Sequence, residues 1–304
     1  MRVINSIKTV LCYNLHYDYH MKSFNRSDLL ALSAIALWGS LAPLGVELSH
    51  IPPFLLTGLG LLIGSLIALP LSKFQLAQWK IPFTTLLVGI YGLFGFHFLL
   101  FIALRHAPAV EANLINYLWP LGMVVMAPLF LKGVSLKGRH IVAALIGFTG
   151  AAIAILGKGQ TSLSGTGFQS GYLIALASAF VWASYSLLTR RLPSFPTVAV
   201  GGFAAASGLL SLACHFALEP SVDLSQKDML LITLLGLGPL GGAFFLWDAA
   251  IKTGDTRRIG LLAFATPILS TILLLLTTGQ ALEWNVVLAS VLVVGAAAWG
   301  GRED

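Results

Sequence analysis

Charge is what this sequence has least of. Of its 304 residues only 10% are Asp, Glu, Lys or Arg, while 57% are hydrophobic. A soluble domain carries about 25% charged residues to cover its surface, so this surface must face lipid. Cysteine is nearly absent. Cys12 and Cys214 form no metal-ligand spacing and no disulfide framework, and leave at most one isolated bridge. No Gly-x-x-x-x-Gly-Lys-Ser/Thr occurs, which excludes a P-loop ATPase, and neither His-Glu-x-x-His nor Gly-x-Ser-x-Gly is present. The sequence therefore asks for no cofactor and no metal. A membrane acyltransferase or protease needs a nucleophile and a base deep in the bilayer, and only His97 offers half of one. A channel calls for a symmetric oligomer or rings of charge, and neither is suggested. No carboxylate falls near the middle of an apolar run, which argues against obligatory proton coupling through Asp or Glu.

What the sequence has is apolar runs of the roughly 20 residues needed to cross a ~30 Å hydrocarbon core. They cover 28–48, 52–72, 83–104, 109–131, 140–157, 170–189, 197–218, 229–250, 259–279 and 284–301. These ten runs predict an all-α integral membrane protein with ten transmembrane helices. Glycine, at 31 residues, suits close helix packing. Gly60-x-x-x-Gly64 reads either as a packing seam or as a chance match in a glycine-rich chain. Residues 1–27 differ in composition, lack a sustained apolar core and a cleavage site, and read as a cytoplasmic tail rather than a signal peptide. Met21 is a candidate natural start, and a short amphipathic surface helix is the alternative for this stretch.

The net charge of +6 is a matter of topology, not of nucleic-acid binding. With the N-terminus inside, fifteen of the eighteen Lys and Arg fall in cytoplasmic segments, and Arg105, Lys158 and Lys227 fall outside. Both termini are then cytoplasmic. The chain also repeats. "LSAIALWGS" (32–40) aligns with "LASAFVWAS" (176–184), placing Trp38 over Trp182. "ALRHAPAVEANLINYLWP" (103–120) aligns with "AIKTGDTRRIGLLAFATP" (250–267), placing Pro120 over Pro267. The expected domains are a first five-helix repeat over 28–157 and a second over 170–301. Five is odd, so the second repeat runs inverted, as in secondary transporters with a midplane site at the repeat interface.

Polar and aromatic residues inside the apolar runs are the candidate site. Asn113, Asn116, Tyr117 and Pro120 share a helical face, with Trp119 on its flank. Pro120 removes a backbone donor and frees the Asn116 carbonyl. The group suits a zwitterion, although Asn also serves as helix–helix glue. Trp38, Trp119 and Trp182 lie near the centres of their spans, away from the interfacial belt, and each indole N–H needs a partner. A polar cavity supplies one, as does a buried carbonyl. Tyr185 is three residues past Trp182 and shares its face. Trp79, Trp284 and Trp299 lie at span ends as anchors. His97 is the titratable group placed deepest in a span, whereas His215 reads as structural. Glu47, Glu111 and Asp248 lie near span ends, with Asp248 positioned to pair locally with Lys252.

The ten-span pattern with a tryptophan in spans one and six resembles the drug/metabolite transporter superfamily, EamA type. Within it, "EANLINYLWPL" (111–121) and "KTGDTRRIGLLAFATPILST" (252–271) resemble the aromatic amino acid exporter branch. The resemblance implies a bacterial inner-membrane exporter with a central cavity between the halves, in which His97 matches a cavity-lining position. The expected function is export of aromatic or other large apolar amino acids by alternating access. The expected substrate-binding residues are Trp38, His97, Asn113, Asn116, Tyr117, Trp119, Trp182 and Tyr185, with hinges at Pro120 and Pro267. The alternative is another small metabolite, such as a quaternary amine or a nucleotide-derived compound. The partners implied are the amino acid and the bilayer. Oligomeric state is left open, and a monomer is compatible with the pattern.

Overall fold

The computed structural model describes residues 25–107, 109–156, 170–279 and 284–300. The expectations for the N-terminal tail and for the Glu111 side chain lie outside what it describes. All regular structure among the described residues is helical. The first half comprises α1 (Arg26–Gly39), α2 (Leu41–Glu47), α3 (Pro53–Ser65), α4 (Ala68–Leu71), α5 (Phe83–Ile90), α6 (Phe96–His106), α7 (Ala109–Asn116), α8 (Trp119–Phe130) and α9 (Gly138–Leu156). The second comprises α10 (Ser170–Leu188), α11 (Val200–Leu218), α12 (Gln226–Leu237), α13 (Ala243–Thr253), α14 (Thr256–Ala263), α15 (Ala265–Thr278) and α16 (Trp284–Gly300).

Eight stretches are long and apolar enough to cross a membrane: Arg26–Glu47, Pro53–Leu71, Phe83–His106, Ala112–Phe130, Ser170–Leu188, Thr197–Leu218, Gln226–Thr253 and Thr256–Thr277. Gly138–Ile153 and Trp284–Gly300 are shorter apolar helices in the two remaining expected places. Local chemistry sets several starts. Asn25 and Asp28 form a capping box, the Asn25 side chain taking the Asp28 N–H at 2.9 Å. Ser225 and Asp228 form a second at the start of α12. Proline opens α3, where its missing N–H removes no helical bond.

Large apolar side chains such as Phe216 and Leu276 stay exposed, as suits a lipid-facing surface. Lipid gives no hydrophobic drive for helices to associate, so small residues and close contact hold the bundle. At Gly64 a methyl group would stand 2.6 Å from the Gly241 Cα, so the Gly60–Gly64 pair is a packing seam against the second half. The helix pairings repeat across the halves. α3 packs on α11 and α9 on α16, while α6 packs on α10 as α13 packs on α1.

The two halves also share a defect. Residues Tyr91–Gly95 and Gly238–Gly242 each form one π-helical turn, and they fall opposite each other when the register that pairs 103–120 with 250–267 is extended upstream. Such turns insert an extra residue and re-aim the side chains that follow. Those side chains are His97 and Phe244.

At both proline spans the helix breaks just ahead of the proline. The chain breaks at Tyr117–Leu118, and Pro120 then sits in the first turn of α8. A proline there starts a new helix instead of bending an old one. Span nine breaks likewise at Phe264, three residues before Pro267. The Ala263 carbonyl that Pro267 cannot serve accepts the Thr266 hydroxyl at 2.8 Å.

Candidate substrate site

The π turns and span breaks converge on one aromatic cluster. The Trp38 ring meets Trp119 at 6.3 Å, Trp182 at 5.7 Å, Phe244 at 6.0 Å and Trp247 at 5.1 Å between centroids. Trp119 also meets Trp182 at 6.3 Å and Trp247 at 5.6 Å. Trp182 adds Phe96 at 5.3 Å and Tyr185 at 5.4 Å. His97 joins through Phe244 at 6.2 Å. The geometries are edge-on or tilted, as ring quadrupoles favour, and each such pair contributes about 0.5–1.5 kcal/mol beyond burial. The four tryptophans, Tyr185, Phe244 and His97 are all buried, none more than 8% exposed.

Hydrogen bonding divides the tryptophans into two sets. Trp38 donates to the Pro239 carbonyl at 3.1 Å, in the second π turn, and Trp247 donates to Ser186 Oγ at 3.1 Å. Among the described residues no acceptor serves the Trp119 or Trp182 indole N–H. The His97 ring is fixed by Nδ1, 2.6 Å from the Leu93 carbonyl. A carbonyl only accepts, so Nδ1 carries the proton and Nε2 is the ring's other polar edge. Asn116 accepts the Ser178 hydroxyl at 2.6 Å, one turn below Trp182. This bond joins α7 to α10, as the glue reading expects. Tyr91 and Ser184 form a further polar contact at 2.8 Å.

The structure thus brings Trp38, His97, Trp119, Trp182 and Tyr185 together and sets Asn116 beside them. It places Tyr117 half-buried in the chain break and Asn113 on an exposed position of α7. Pro120 and Pro267 flank the two breaks. Sequence reasoning missed Trp247, Phe244 and Phe96. Trp247 lies three residues from the end of a span drawn to 250, where an indole looks like an interfacial ring, but α13 runs on to Thr253. An apolar groove lined by Leu37, Leu44, Leu234, Leu237 and Pro239 runs beside the cluster and shares Pro239 with it.

Charged residues gather at the two ends of the bundle. At one end Arg258 pairs with Asp28 at 2.8 Å, Arg190 donates to the Gly254 carbonyl at 2.6 Å, and Arg257 to the Ser135 carbonyl at 2.7 Å. Asp255 lies in the link there. Burial works to raise its carboxyl, but hydrogen bonds from Arg257 outweigh this and hold it below the usual range. At the other end Glu219 is buried and takes the Phe54 and Leu55 amides at the start of α3. It also takes Arg105 at 2.9 Å and His215 at 3.1 Å. His215 is therefore part of a structural ion network. Glu47 pairs with Lys227 at 2.5 Å at the same end. Asp248 pairs with Lys252 at 2.6 Å as expected, and it is buried at 4% exposure.

Comparison with known proteins adds a family to this geometry. The profile of the EamA-like transporter family matches residues 25–156 and, a second time, 169–299. The chain is 38% identical over 279 residues to the aromatic amino acid exporter YddG of Ancylobacter novellus, covering 91% of this chain and 97% of that protein. It is 24% identical over 283 residues to the aromatic amino acid exporter YddG of Escherichia coli, covering 89% and 94%. A solved crystal structure superposes with a TM-score of 0.84 at 38% identity, covering 91% of this chain and 96% of that one.

Proposed function

Because the chain belongs to the EamA-like transporter family, we propose that it exports aromatic and other large apolar amino acids across the bacterial inner membrane by alternating access. Ten spans form two inverted five-helix repeats, 28–157 and 170–301, with both termini in the cytoplasm. The basic end of the bundle, with Arg190, Arg257 and Arg258, faces the cytoplasm, in line with the positive-inside bias.

One observation carries the substrate reading. Four tryptophans meet where the two repeats meet, and the N–H of two of them finds no acceptor among the described residues. Flat apolar faces hold a ring or a long aliphatic side chain, while Asn116 and His97 offer polar edges. Trp38, Tyr117, Trp119, Trp182 and Tyr185 form the wall, and Asn113 lies on the approach to it. Rocking at the breaks beside Pro120 and Pro267 separates Trp119 from its partners and opens the cluster to one side at a time. Tryptophan faces also attract a quaternary amine, so that class is the rival. The test is counterflow of labelled Phe into proteoliposomes holding purified protein. Phe, Tyr and Trp are expected to drive it, with Met and Leu weaker. Counterflow driven by a quaternary amine and by no aromatic amino acid would remove this reading.

A further inference from the structure

The motif "KTGDTRR" begins with Lys252, which pairs with Asp248, the residue that follows Trp247 of the aromatic cluster. Lys252 Nζ lies 2.6 Å from Asp248 Oδ2, and Thr197 Oγ1 donates to the same oxygen at 2.7 Å. Lys252 also donates to the Phe195 carbonyl at 2.9 Å and stands 3.5 Å from the centre of the Phe195 ring. The second carboxylate oxygen, Asp248 Oδ1, is buried and has no hydrogen-bond partner among the described residues. Glu219, the carboxylate buried at the far end, has both oxygens engaged. A buried anionic oxygen without a donor is costly, and native structures seldom keep one without a use. Asp248 directly follows Trp247 of the cluster. Phe195, whose ring Lys252 faces, packs in the same buried core as Trp247, Trp182 and Tyr185.

We propose that Asp248 and Lys252 are the charge-recognition pair of the transporter, Asp248 taking the α-ammonium and Lys252 the α-carboxylate of an amino acid whose side chain lies on the tryptophans. This rests on the amino-acid reading above and deepens it. The pair closes on itself when no substrate is present, which keeps two buried charges neutralised. A zwitterion brings one cation and one anion, so it exchanges one internal pair for two new ones without leaving either charge alone. Oδ1 is the acceptor that the ammonium fills first, before Lys252 turns away. A lone amine would leave Lys252 facing a second cation, and a lone acid would leave Asp248 facing a second anion. A proton on Asp248 would leave Lys252 without its partner, so the zwitterion accounts better for the pair as a unit. Lys252 is partly exposed, which gives the substrate its approach from the basic end.

The experiment is competition against labelled Phe uptake in proteoliposomes, using Phe, phenethylamine and 3-phenylpropionate. With the unmodified protein each one-charge analogue is expected to compete at least about tenfold more weakly than Phe, the worth of one charge-assisted hydrogen bond. Asp248→Asn should close the gap between Phe and phenylpropionate, and Lys252→Met the gap between Phe and phenethylamine. The exchanged double variant Asp248→Lys with Lys252→Asp should recover uptake that Asp248→Lys alone and Lys252→Asp alone lose. If a variant does not fold, the analogue series on the unmodified protein decides alone: analogues that compete as well as Phe overturn the proposal. So do folded variants that keep both gaps. Variants that lose only a dependence on the pH gradient, with both gaps intact, assign Asp248 to proton coupling instead. Absence of any labelled Phe uptake by the unmodified protein would overturn the amino-acid reading itself, which is a separate outcome.

Discussion

Trp38 and Trp182 occupy equivalent places in the two repeats and touch each other, ring centroids 5.7 Å apart and planes at 78°. The same holds for His97 and Phe244, which the register of the second alignment pairs when extended upstream and which meet at 6.2 Å. Residues that a two-fold relation exchanges can touch only near its axis. Under the proposed inverted repeat, the aromatic cluster lies where the relation between the repeats passes through the bundle. A rocking motion of one repeat against the other changes distances least there and most at the ends. A binding site at that place is reached from either end by small movements.

The two glycines of the first π turn test this packing. A methyl at Gly92 would stand 2.2 Å from the Tyr185 Cγ, whereas at Gly95 the nearest atom is the Val181 Cγ1 at 3.6 Å. Gly92→Ala should cost about 1–3 kcal/mol, the usual range for overpacking, and should lower transport by pushing Tyr185 off Trp182. Gly95→Ala should be tolerated. Melting curves in detergent and uptake rates of the two variants check both halves of the statement.

At the far end, Glu219→Gln removes the charge that Arg105, His215 and two helix-start amides share. Breaking a buried pair by removing one partner costs about 3–5 kcal/mol. The variant should melt well below the unmodified protein and keep its order of substrate preference. A changed preference with an unchanged melting temperature would move Glu219 from the scaffold to the site.

His97→Ala should lower uptake severalfold while leaving insertion and expression intact, because the ring touches Phe244 and its Nδ1 serves only its own helix. Uptake measured at several pH values is the check. Unchanged rates throughout would make the ring a packing element.

Much of this was legible in the sequence. The apolar runs located the helices, since no other feature of a chain with so little charge explains their length. The repeat was legible through Trp38 and Trp182 and through Pro120 and Pro267. The break at Tyr117–Leu118 was not, because a proline in a long apolar run reads equally as a kink or as a helix start, and only the backbone decides. The π turns left no trace in hydropathy, which does not register one extra residue. Trp247 was hidden by a span end drawn three residues too near. Glu219 was missed because it lies just past the end of α11, and what it binds, the start of α3, is over 160 residues away.

Topology has its own test. A reporter active only in the periplasm should stay silent when fused after Asp304 and should give signal when inserted in the link 220–224. The opposite pattern would turn the bundle over and put the Asp248–Lys252 end outside.

The central claim is that the tryptophan cluster reads the side chain of an amino acid, and Trp119 tests it most directly. Trp119 touches Trp38, Trp182 and Trp247 beside the break that is proposed to open, and its N–H has no acceptor among the described residues. A stacked ring contact is worth about 0.5–1.5 kcal/mol, or up to about tenfold in affinity. Competition for labelled Phe uptake should be measured for the unmodified protein and for Trp119→Ala, with Phe, Tyr, Trp, Ala and Thr as competitors. The variant should lose several-fold more affinity for the three aromatic amino acids than for Ala and Thr. Equal loss for all five, in a variant that still folds and inserts, would contradict it.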